Sequence, residues 1–576
     1  MNRQRQASVF PSLPDRRTLR PVDLLRCVKW LAAYGPQGMM RKLRLHKHRY
    51  APLKRNLSAR ALSHQRRERF PQEISFHIVL CVDEANADET VIAIRCLQQQ
   101  TYARWTLQPL CSEALFTRLR EASGSDSRII AEPPAAYDYL LRLHPSDRLH
   151  PGALNACMHA VCTQQADFIY TDEDLYRHTP CDLRAPLLKA DFSAVALLGY
   201  NYIGRFFVCS KALAELACVD MLAPAFHADD AVLRLCHAAC HIAHIPQILL
   251  YRQENDPSLP ASDAQPYCQA VQAHLDRCYH GTTASPASHG CVYVQWPIAG
   301  EPMISILIPN KDHSAVLERC IVSIVSRSTW QKYEIIIIEN NSLDPATFAL
   351  YEQLQQRYEH LRVVTWHGGY NFAAINNFGA QFAEGDYLLL LNNDVEVISP
   401  SWMEEMLMYA QREETGAVGA LLLYPNGTVQ HAGVATGVTL MAGHLHRGFD
   451  GNASGYMNRL CYAQHVTALT AACMMMRASV FSAMQGFDER YAVAFNDIDL
   501  CLRLRETGYL NVFTPFARLY HYESLSRGPE TTSDKRDRFL GETERFHAQW
   551  EHALLKGDPY YNVNLSPLTE DFRPRA

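Results

Sequence analysis

The sequence contains no run of about 18 uncharged apolar residues, which is roughly the length a helix needs to cross a bilayer. Its first 20 residues, MNRQRQASVFPSLPDRRTLR, also lack the apolar segment of a secretory signal. We therefore expect a cytoplasmic protein. The 18 cysteines are scattered through the 576 residues, which in an intracellular chain is typical of buried apolar side chains and not of a disulfide framework.

Acidic residues are scarce in the first 70 positions, which hold 18 Lys or Arg against 3 Asp or Glu, a net +15. The rest of the chain has 37 basic and 57 acidic residues, a net −20. An amphipathic helix beside a basic cluster can lie on an anionic membrane, so we expect residues 1–70 to be a membrane-surface arm. A solvated arm, or a helix packed on the first domain, is the alternative. The apolar residues of this predicted helix are Leu24, Leu25, Val28, Trp30 and Leu31.

Short apolar runs alternate with helical segments from about residue 75, beginning with FHIVLCV and ETVIAIRCLQQQ. The same pattern restarts at Met303 with MISILIP, after the stretch HGTTASPASHG. Strands that alternate with helices predict an α/β fold with mainly parallel sheets, and the stretch near 280–300 predicts a domain boundary. We expect a basic tail at 1–70, a Rossmann-like domain at 71–290 and a second one at 301–560.

The two predicted domains resemble each other in sequence. DYLL at 138–141 recurs 248 residues later at 386–389, and ADDAVLRL at 228–235 resembles DIDLCLRL at 497–504, 269 residues later. Offsets that drift in one direction are typical of a duplicated domain with loop insertions. The sequence therefore predicts two tandem domains of one fold.

Three groups of polar residues stand where buried strands end or helices begin. Ligands of α/β sheets bind at the carboxyl ends of the strands, where such side chains meet. Each group also has a structural explanation, because Asp and Asn favour turns and helix N-termini and a single His is often structural. Two carboxylates at i and i+2 do not share a helix face, so one can cap the helix while the other points into a cleft. The groups are residues 392–394 (Asn-Asn-Asp), Asp497 with Asp499, and His521.

Residues 303–528 resemble family 2 glycosyltransferases of the GT-A fold, in particular large bacterial proteins of the rhamnosyltransferase and O-antigen assembly type. The first domain resembles the N-terminal domain of the same proteins through ADFIYTDEDL, LLKADFS, LGYNYIG and HIPQILL. The motifs that carry the resemblance in the second domain are ISILIPNKD, IIIIENNS, GDYLLLLNNDVEV, YPNGTVQHAGV, TALTAACMMMR, FNDIDLCLRLRETGY and HYESLSRG.

This resemblance implies an inverting transferase that moves a sugar from a dTDP-, UDP- or GDP-sugar to a hydroxyl of a cell-surface polysaccharide or lipid-linked glycan. It implies Mn²⁺ or Mg²⁺ as the cofactor, because a hard divalent cation offsets the charge of the departing nucleoside diphosphate. It also implies work at the cytoplasmic face of the inner membrane, with peripheral contact to that membrane. Nucleotidyl or phosphoryl transfer could use the same cation but needs no base for an acceptor hydroxyl.

The resemblance assigns roles to individual residues. Asp394 corresponds to the metal-binding end of a DxD motif in which Asn392 replaces the first Asp. Asp497 corresponds to the general base that takes the proton of the acceptor hydroxyl. His521 corresponds to a histidine near the metal and the diphosphate. The residues expected to contact the donor are Pro309, Glu339, Asn341, Asn392 and Asp394.

The repeat offsets suggest that the first domain has lost the three main site residues. We therefore predict a degenerate first domain that supports, binds or positions the acceptor glycan. A one-residue gap would bring Asp147 to the metal position and Tyr251 opposite His521, but it would not restore the base. A glycan-binding scaffold without activity, or a transferase with two active domains, is the alternative. The offsets align Asp394 with Ser146, Asp497 with Ala228 and His521 with Arg252.

Cysteine and histidine are concentrated in CHAACHIAH at 236–244, where pairs four residues apart on a helix could bind zinc. No second spaced ligand pair follows, so we interpret the stretch as an ordinary amphipathic helix. GHLHRG (443–448) and TALTAACMMM (467–476) could line the donor or acceptor pocket, or form a loop and a core segment. The possible zinc ligands in the first stretch are Cys236, His237, Cys240, His241 and His244.

Overall fold

The computed structural model describes residues 59–177, 185–254, 263–523 and 533–575. The amphipathic helix predicted around Trp30 lies outside the described residues, as does the part of HYESLSRG that follows Glu523. Of the predicted basic tail the described part includes one helix, Ala59–Gln65. No helix within these ranges is both long and apolar enough to span a bilayer.

The first seven strands form one sheet. The run FHIVLC is buried over nearly its whole length, as a strand covered on both faces requires. The strands are β1 (Phe76–Cys81), β2 (Trp105–Leu110), β3 (Tyr139–Leu143), β4 (Arg148–Leu149), β5 (Phe168–Tyr176), β6 (Phe207–Ser210) and β7 (Ile242–Gln253).

A second sheet has ten strands, and two further strand pairs, β8–β9 and β17–β18, stand apart from it. Every residue of YLLLL is buried, and full burial of each leucine stabilises the fold by about 1.5–3 kcal/mol. These strands are β8 (Thr283–Pro286), β9 (Val292–Gln295), β10 (Ile304–Asn310), β11 (Tyr333–Asn340), β12 (Leu361–Trp366), β13 (Tyr387–Leu391), β14 (Val395–Val397), β15 (Thr415–Leu423), β16 (Val429–His431), β17 (Val434–Thr436), β18 (Ala442–His444), β19 (Gln464–Val466), β20 (Cys473–Arg477) and β21 (Leu510–His521).

Helices follow most of the strands, in agreement with the alternation in the sequence. The helices are α1 (Ala59–Gln65), α2 (Ala87–Gln98), α3 (Glu113–Ala122), α4 (Ala153–Gln164), α5 (Ala194–Gly199), α6 (Lys211–Leu216), α7 (Ala228–Ala238), α8 (Gln265–Cys278), α9 (Ser314–Arg327), α10 (Pro345–Arg357), α11 (Phe372–Ala380), α12 (Trp402–Ala410), α13 (Ala478–Ala483), α14 (Asn496–Glu506) and α15 (Ser533–Lys556).

The two large sheets repeat one topology. The order β2-β1-β3-β6-β5-β7-β4 in the first sheet corresponds strand by strand to β11-β10-β13-β20-β15-β21-β14 in the second. Each neighbouring pair also runs in the same sense in both sheets: β1 is parallel to β2 and β3, as β10 is to β11 and β13. The second sheet extends this common order by β12 at one edge and by β16 and β19.

Both sheets are mixed: most of the paired residues lie in parallel ladders, as expected, but each sheet also contains antiparallel strands. In the first sheet β3 and β5 are each antiparallel to β6, and β4 is antiparallel to β7. In the second, β20 is antiparallel to both β13 and β15. A strand buried on both faces is a continuous apolar run in either direction, so the apolar pattern does not carry the strand sense.

The predicted boundary near 280–300 contains the β8–β9 hairpin, which is packed on the second unit. The hydroxyl of Tyr293 donates to Oε1 of Glu405 on α12 at 2.8 Å, and Arg412 lies 3.9 Å above the ring of the buried Trp296. The two units also meet where Tyr200 stacks on Tyr462, with ring centroids 5.8 Å apart. The hairpin therefore joins the two units through a packed contact.

Candidate active site

The carboxyl ends of β10, β11 and β13 meet at one edge of the second sheet. The register pairs Asn310 with Glu339, so the end of β10 lies beside the end of β11. β13 ends at Leu391, and the chain continues through the Asn-Asn-Asp sequence into β14. This edge is where α/β sheets bind their ligands, and the predicted site residues lie along it.

A carboxylate and an imidazole face each other at this edge. His521 ends β21 directly opposite Val395 of β14, which brings Nε2 of His521 to 3.1 Å from Oδ1 of Asp394. On the other side of the ring, Nδ1 lies 2.5 Å from Oε1 of Gln430. Nε2 of Gln430 donates to Glu523 at 3.1 Å, so Oε1 is the acceptor and Nδ1 of His521 carries the ring proton.

Nε2 of His521 is therefore a hydrogen-bond acceptor. It faces Oδ1 of Asp394, which is an acceptor too. Both residues are buried, and Oδ1 of Asp394 has no hydrogen-bond donor. Two buried acceptors at this distance repel each other unless a proton or a metal cation lies between them. Carboxylate oxygen and imidazole nitrogen, with the imidazole oriented by a second partner, fit a divalent cation of the manganese type. Nδ2 of Asn392 donates to the same imidazole nitrogen at 3.2 Å, so Nε2 has a donor in this structure while Oδ1 of Asp394 has none.

The two carboxylates at the start of α14 have different surroundings. Asp499 is buried and accepts hydrogen bonds from Arg503, Gln549 and Trp550 at 2.8–3.0 Å, which ties α14 to α15. Asp497 is half-buried, and burial raises the pKa of its carboxyl group. A raised pKa improves a carboxylate as a proton acceptor near neutral pH. Burial raises the pKa of both carboxyl groups, so what distinguishes Asp499 is its three side-chain donors, and the role of Asp497 as a base stays a prediction.

One short segment connects Asp497 with the Asp394 region. The backbone N–H of Ala471 donates to Oδ2 of Asp497 at 3.2 Å. The next residue, Ala472, accepts a hydrogen bond of 3.1 Å from the backbone N–H of Asn392. TALTAACMMM therefore lies between the start of α14 and the end of β13, and places both carboxylates along one edge of the sheet.

The predicted donor residues form a second polar group at the ends of β10 and β11. Glu339 is buried and accepts from the backbone and hydroxyl of Ser342 and from the hydroxyl of Tyr351, at 2.5–2.7 Å. Tyr351 also accepts from Asn310 at 2.8 Å. Glu339 thus shapes the loop after β11 in this structure, and its contact with a nucleoside stays a prediction. The donor contacts expected of Asn341 and Pro309 also stay predictions. The side chain of Asn341 donates to Gly368 at 2.7 Å, and Pro309 lies in β10.

Sequence reasoning did not identify Gln430 as part of the site. This residue lies 91 positions before His521 and reaches it because β16, like β21, pairs with β15. The signal was present in YPNGTVQHAGV, which carries the resemblance, but nothing in that motif indicates which side chain meets the histidine. GHLHRG lies close by: Nδ1 of His444 is 3.0 Å from Nδ1 of His431, the residue after Gln430.

The first sheet corrects the alignment made from sequence offsets. Arg148 of β4 pairs with Tyr251 as Val395 of β14 pairs with His521, so Asp147 stands at the position of Asp394. Counted from the helix starts, Asp229 on α7 corresponds to Asp497, so an acidic residue is present there too. Sequence offsets had aligned Ser146, Ala228 and Arg252 instead; they ignored a one-residue difference in loop length.

The carboxylates of the first unit are held by cationic side chains. Arg205 lies 2.5 Å from Oδ1 of the buried Asp147, whereas Oδ1 of Asp394 has the imidazole of His521 beside it in the described part of the second unit. Glu173 is paired with Lys189 at 3.2 Å and with Arg252 at 2.8 Å, and all three are 3% exposed or less. Guanidinium and ammonium groups therefore supply the positive charge in the first unit.

A buried carboxylate and imidazole that call for a cation, beside a second carboxylate of raised pKa, define an enzyme-type site on an α/β fold. Residues 305–484 match the model of the family described as Glycosyl transferase family 2. Residues 305–484 are therefore similar to family 2 glycosyltransferases, the family that the motifs predicted.

Three relatives extend this comparison. An uncharacterized protein of Sinorhizobium fredii, y4gI, is 36% identical over 480 residues, which cover 79% of this chain and 51% of that protein. O-antigen biosynthesis protein RfbC of Myxococcus xanthus is 35% identical, over 78% of this chain and 36% of that protein. N-acetylglucosaminyl-diphospho-decaprenol L-rhamnosyltransferase of Mycobacterium tuberculosis is 27% identical, over 44% and 87%. The chain thus spans about half the length of the first relative and about a third of the second.

Proposed function

We propose that this protein is an inverting, divalent-metal-dependent glycosyltransferase that moves a sugar from a nucleoside-diphosphate donor to a hydroxyl of a cell-surface polysaccharide or lipid-linked glycan. The observation that carries the proposal is the pair of buried acceptors, Asp394 Oδ1 and His521 Nε2, 3.1 Å apart without a donor for the carboxylate oxygen. The names of the Myxococcus and Mycobacterium relatives support the glycan class of the acceptor.

In this mechanism Asp394 and His521 would hold the cation. A bound Mn²⁺ or Mg²⁺ offsets the negative charge that develops on the leaving diphosphate. Gln430 keeps the proton of His521 on Nδ1, so that Nε2 stays available as a ligand. Asp497 accepts the proton of the acceptor hydroxyl while the oxygen attacks the anomeric carbon, and one such displacement inverts that centre.

The two units are in this proposal tandem GT-A domains, the first of them degenerate. Their common strand order supports the duplication. The contact of Arg205 with Asp147 supports the loss of activity, because a guanidinium group there competes with a metal ion for the carboxylate. Lys189 and Arg252 are both paired with the buried Glu173. We assign the first unit to supporting or positioning the acceptor glycan.

The proposed function predicts a metal-dependent interaction with one nucleoside diphosphate. UDP, dTDP and GDP, each with and without Mn²⁺, should be compared for their effect on thermal unfolding. At 100 times its Kd, the matching nucleotide should stabilise the protein by about 2.7 kcal/mol, and only with metal. The nucleotide that does so identifies the donor class. A well-folded sample that responds to none of the three contradicts the transferase and favours the glycan-binding scaffold.

We propose that the protein acts at the cytoplasmic face of the membrane and binds the membrane surface through residues 1–70. Their net charge of +15 should attract anionic lipid, with a contribution of about 1 kcal/mol from each basic residue close to the surface. Removal of residues 1–58 is therefore expected to release the protein from anionic vesicles in a flotation assay. Neutral vesicles serve as the control. Equal flotation of the full-length and shortened proteins on anionic vesicles would contradict a membrane-surface arm.

A further inference from the structure

Two histidines and a cysteine come together on adjacent helices of the first unit, away from the proposed active site. His237 lies in the last turn of α7, and His274 and Cys278 lie one turn apart on α8. One ligand atom of each residue lies within 4.8 Å of the other two. Among the described residues this is the single group of three such side chains.

The second observation concerns the hydrogen bonding of His274. The residue is 4% exposed, and its Nδ1 is buried without a hydrogen-bond partner. A buried imidazole nitrogen without a partner is costly, because its hydration is lost and nothing replaces it. His237 by contrast is exposed, so an ion can enter from solvent on that side.

We propose that His237, His274 and Cys278 bind a zinc ion, with water as the fourth ligand. Two imidazoles and one thiolate are a ligand set that zinc takes in tetrahedral sites, with distances of about 2.0–2.3 Å to the ligand atoms. The set contains no oxygen, which Mg²⁺ and Ca²⁺ require, so the site differs in chemistry from the one at Asp394.

The proposed zinc site includes part of the histidine- and cysteine-rich stretch, in a combination that the sequence did not indicate. Only His237 of CHAACHIAH belongs to it. α7 ends at Ala238, and His244 lies in β7, where it is bound to Asp172 and Asp191 at 2.9 Å. The second ligand pair stands 37 and 41 residues after His237, at the end of the next helix. The expectation that no second pair follows was therefore wrong.

The proposed role of the ion is structural. It joins α7 to α8, which are already linked by the ion pair of Arg277 with Asp230 at 2.8 Å. Tyr279, directly after Cys278, packs edge-on against Trp296, the ring beneath Arg412 of the second unit. Zinc bound there would hold the helix pair and stabilise the contact between the two units. Edge-to-face packing of His237 on His274, with centroids 5.3 Å apart, is the explanation without metal.

Co²⁺ titration of the metal-free full-length protein distinguishes these explanations. Cobalt bound by a thiolate absorbs in the near ultraviolet through sulfur-to-metal charge transfer, which carboxylate and imidazole ligands do not produce. We expect this band to saturate at one equivalent, to disappear on addition of Zn²⁺, and to be absent in Cys278→Ser. Zn²⁺ should raise the Tm of the wild type by about 5 °C and leave that of Cys278→Ser unchanged.

Two further variants complete the test. His237→Ala removes an exposed ligand without disturbing the core, so the variant should fold. It should still bind Co²⁺, but at least tenfold more weakly than the wild type does. Cys240→Ser in the neighbouring turn is the matched control and should behave as wild type. Absence of the charge-transfer band in the wild type, or a band that survives in Cys278→Ser, overturns the proposal. Neither result bears on the Asp394 site, whose proposed ligands include no cysteine, so failure here is separable from failure of the proposed transferase.

Discussion

Exchange of Asp497 for Asn is expected to lower the rate of sugar transfer by about 10²–10⁴-fold, the usual contribution of a general base. The amide keeps the shape of the side chain, but it has one oxygen in place of two, so it keeps one of the hydrogen bonds from Ala471 and Ile498, and it cannot take a proton. Donor binding should persist, because the carboxylate acts on the acceptor hydroxyl. Initial rates with the donor identified by thermal unfolding, together with the metal-dependent Tm shift of the variant, measure both quantities.

The pH dependence of the same reaction provides a second measurement of this role. A base must be deprotonated to act, so the rate should rise as pH increases through the pKa of Asp497. Burial raises that pKa, so the acidic limb should lie above the usual pKa of an aspartate, about 3.9. The residual activity of Asp497→Asn should lack this limb.

The duplicated fold offers a matched control for this variant. Asp229 occupies the corresponding place on α7, and its carboxylate accepts a hydrogen bond of 2.7 Å from Asn201. Asp229→Asn should keep the wild-type rate if the first unit is degenerate. Wild-type transfer by Asp497→Asn would remove that residue from the mechanism. A large loss in Asp229→Asn, with an unchanged Tm, would instead favour two active units.

Much of the secondary structure could be predicted, because local patterns determine it. ISILIP, YEIIIIEN and YLLLL are buried runs too short for helices, and the structure has a strand at each. Strand direction depends on how the chain returns to the sheet. No pattern within β20 shows that it runs antiparallel to β13, so the antiparallel strands of these mixed sheets could not be predicted from the sequence.

The candidate site was only partly predictable for a similar reason. Asp394, Asp497 and His521 stand where strands end or a helix begins. Both the sequence pattern and the family resemblance indicated these residues. Gln430 and the pair His274 and Cys278 gain their significance from neighbours 36 or more residues away in sequence, through packing that no local pattern records. The same holds for Asp147, because its equivalence to Asp394 depends on the pairing of β4 with β7.

The largest expected effect on binding is that of Asp394→Asn, which should abolish the metal-dependent stabilisation by nucleotide, a loss of about 2.7 kcal/mol at 100 times the wild-type Kd. A neutral amide neither attracts a divalent cation strongly nor offers it the second oxygen of a carboxylate. Transfer activity should fall to background with it. Thermal unfolding of the variant with the matching nucleotide and Mn²⁺ measures the binding, and the transfer assay measures the rate.

In the metal-free protein, Asp394→Asn should change the Tm in the opposite direction from the corresponding exchange in the first unit, Asp147→Asn. Asn at 394 can donate to Nε2 of His521 and so removes the repulsion of two acceptors, which should leave the Tm without metal equal or higher. Asn at 147 leaves the guanidinium of Arg205 without its anion, which should lower the Tm while the metal-dependent nucleotide shift persists. If Asp394→Asn lowered the metal-free Tm as much as Asp147→Asn, a cation site between Asp394 and His521 would be contradicted, because its carboxylate would then be as fully paired as that of Asp147.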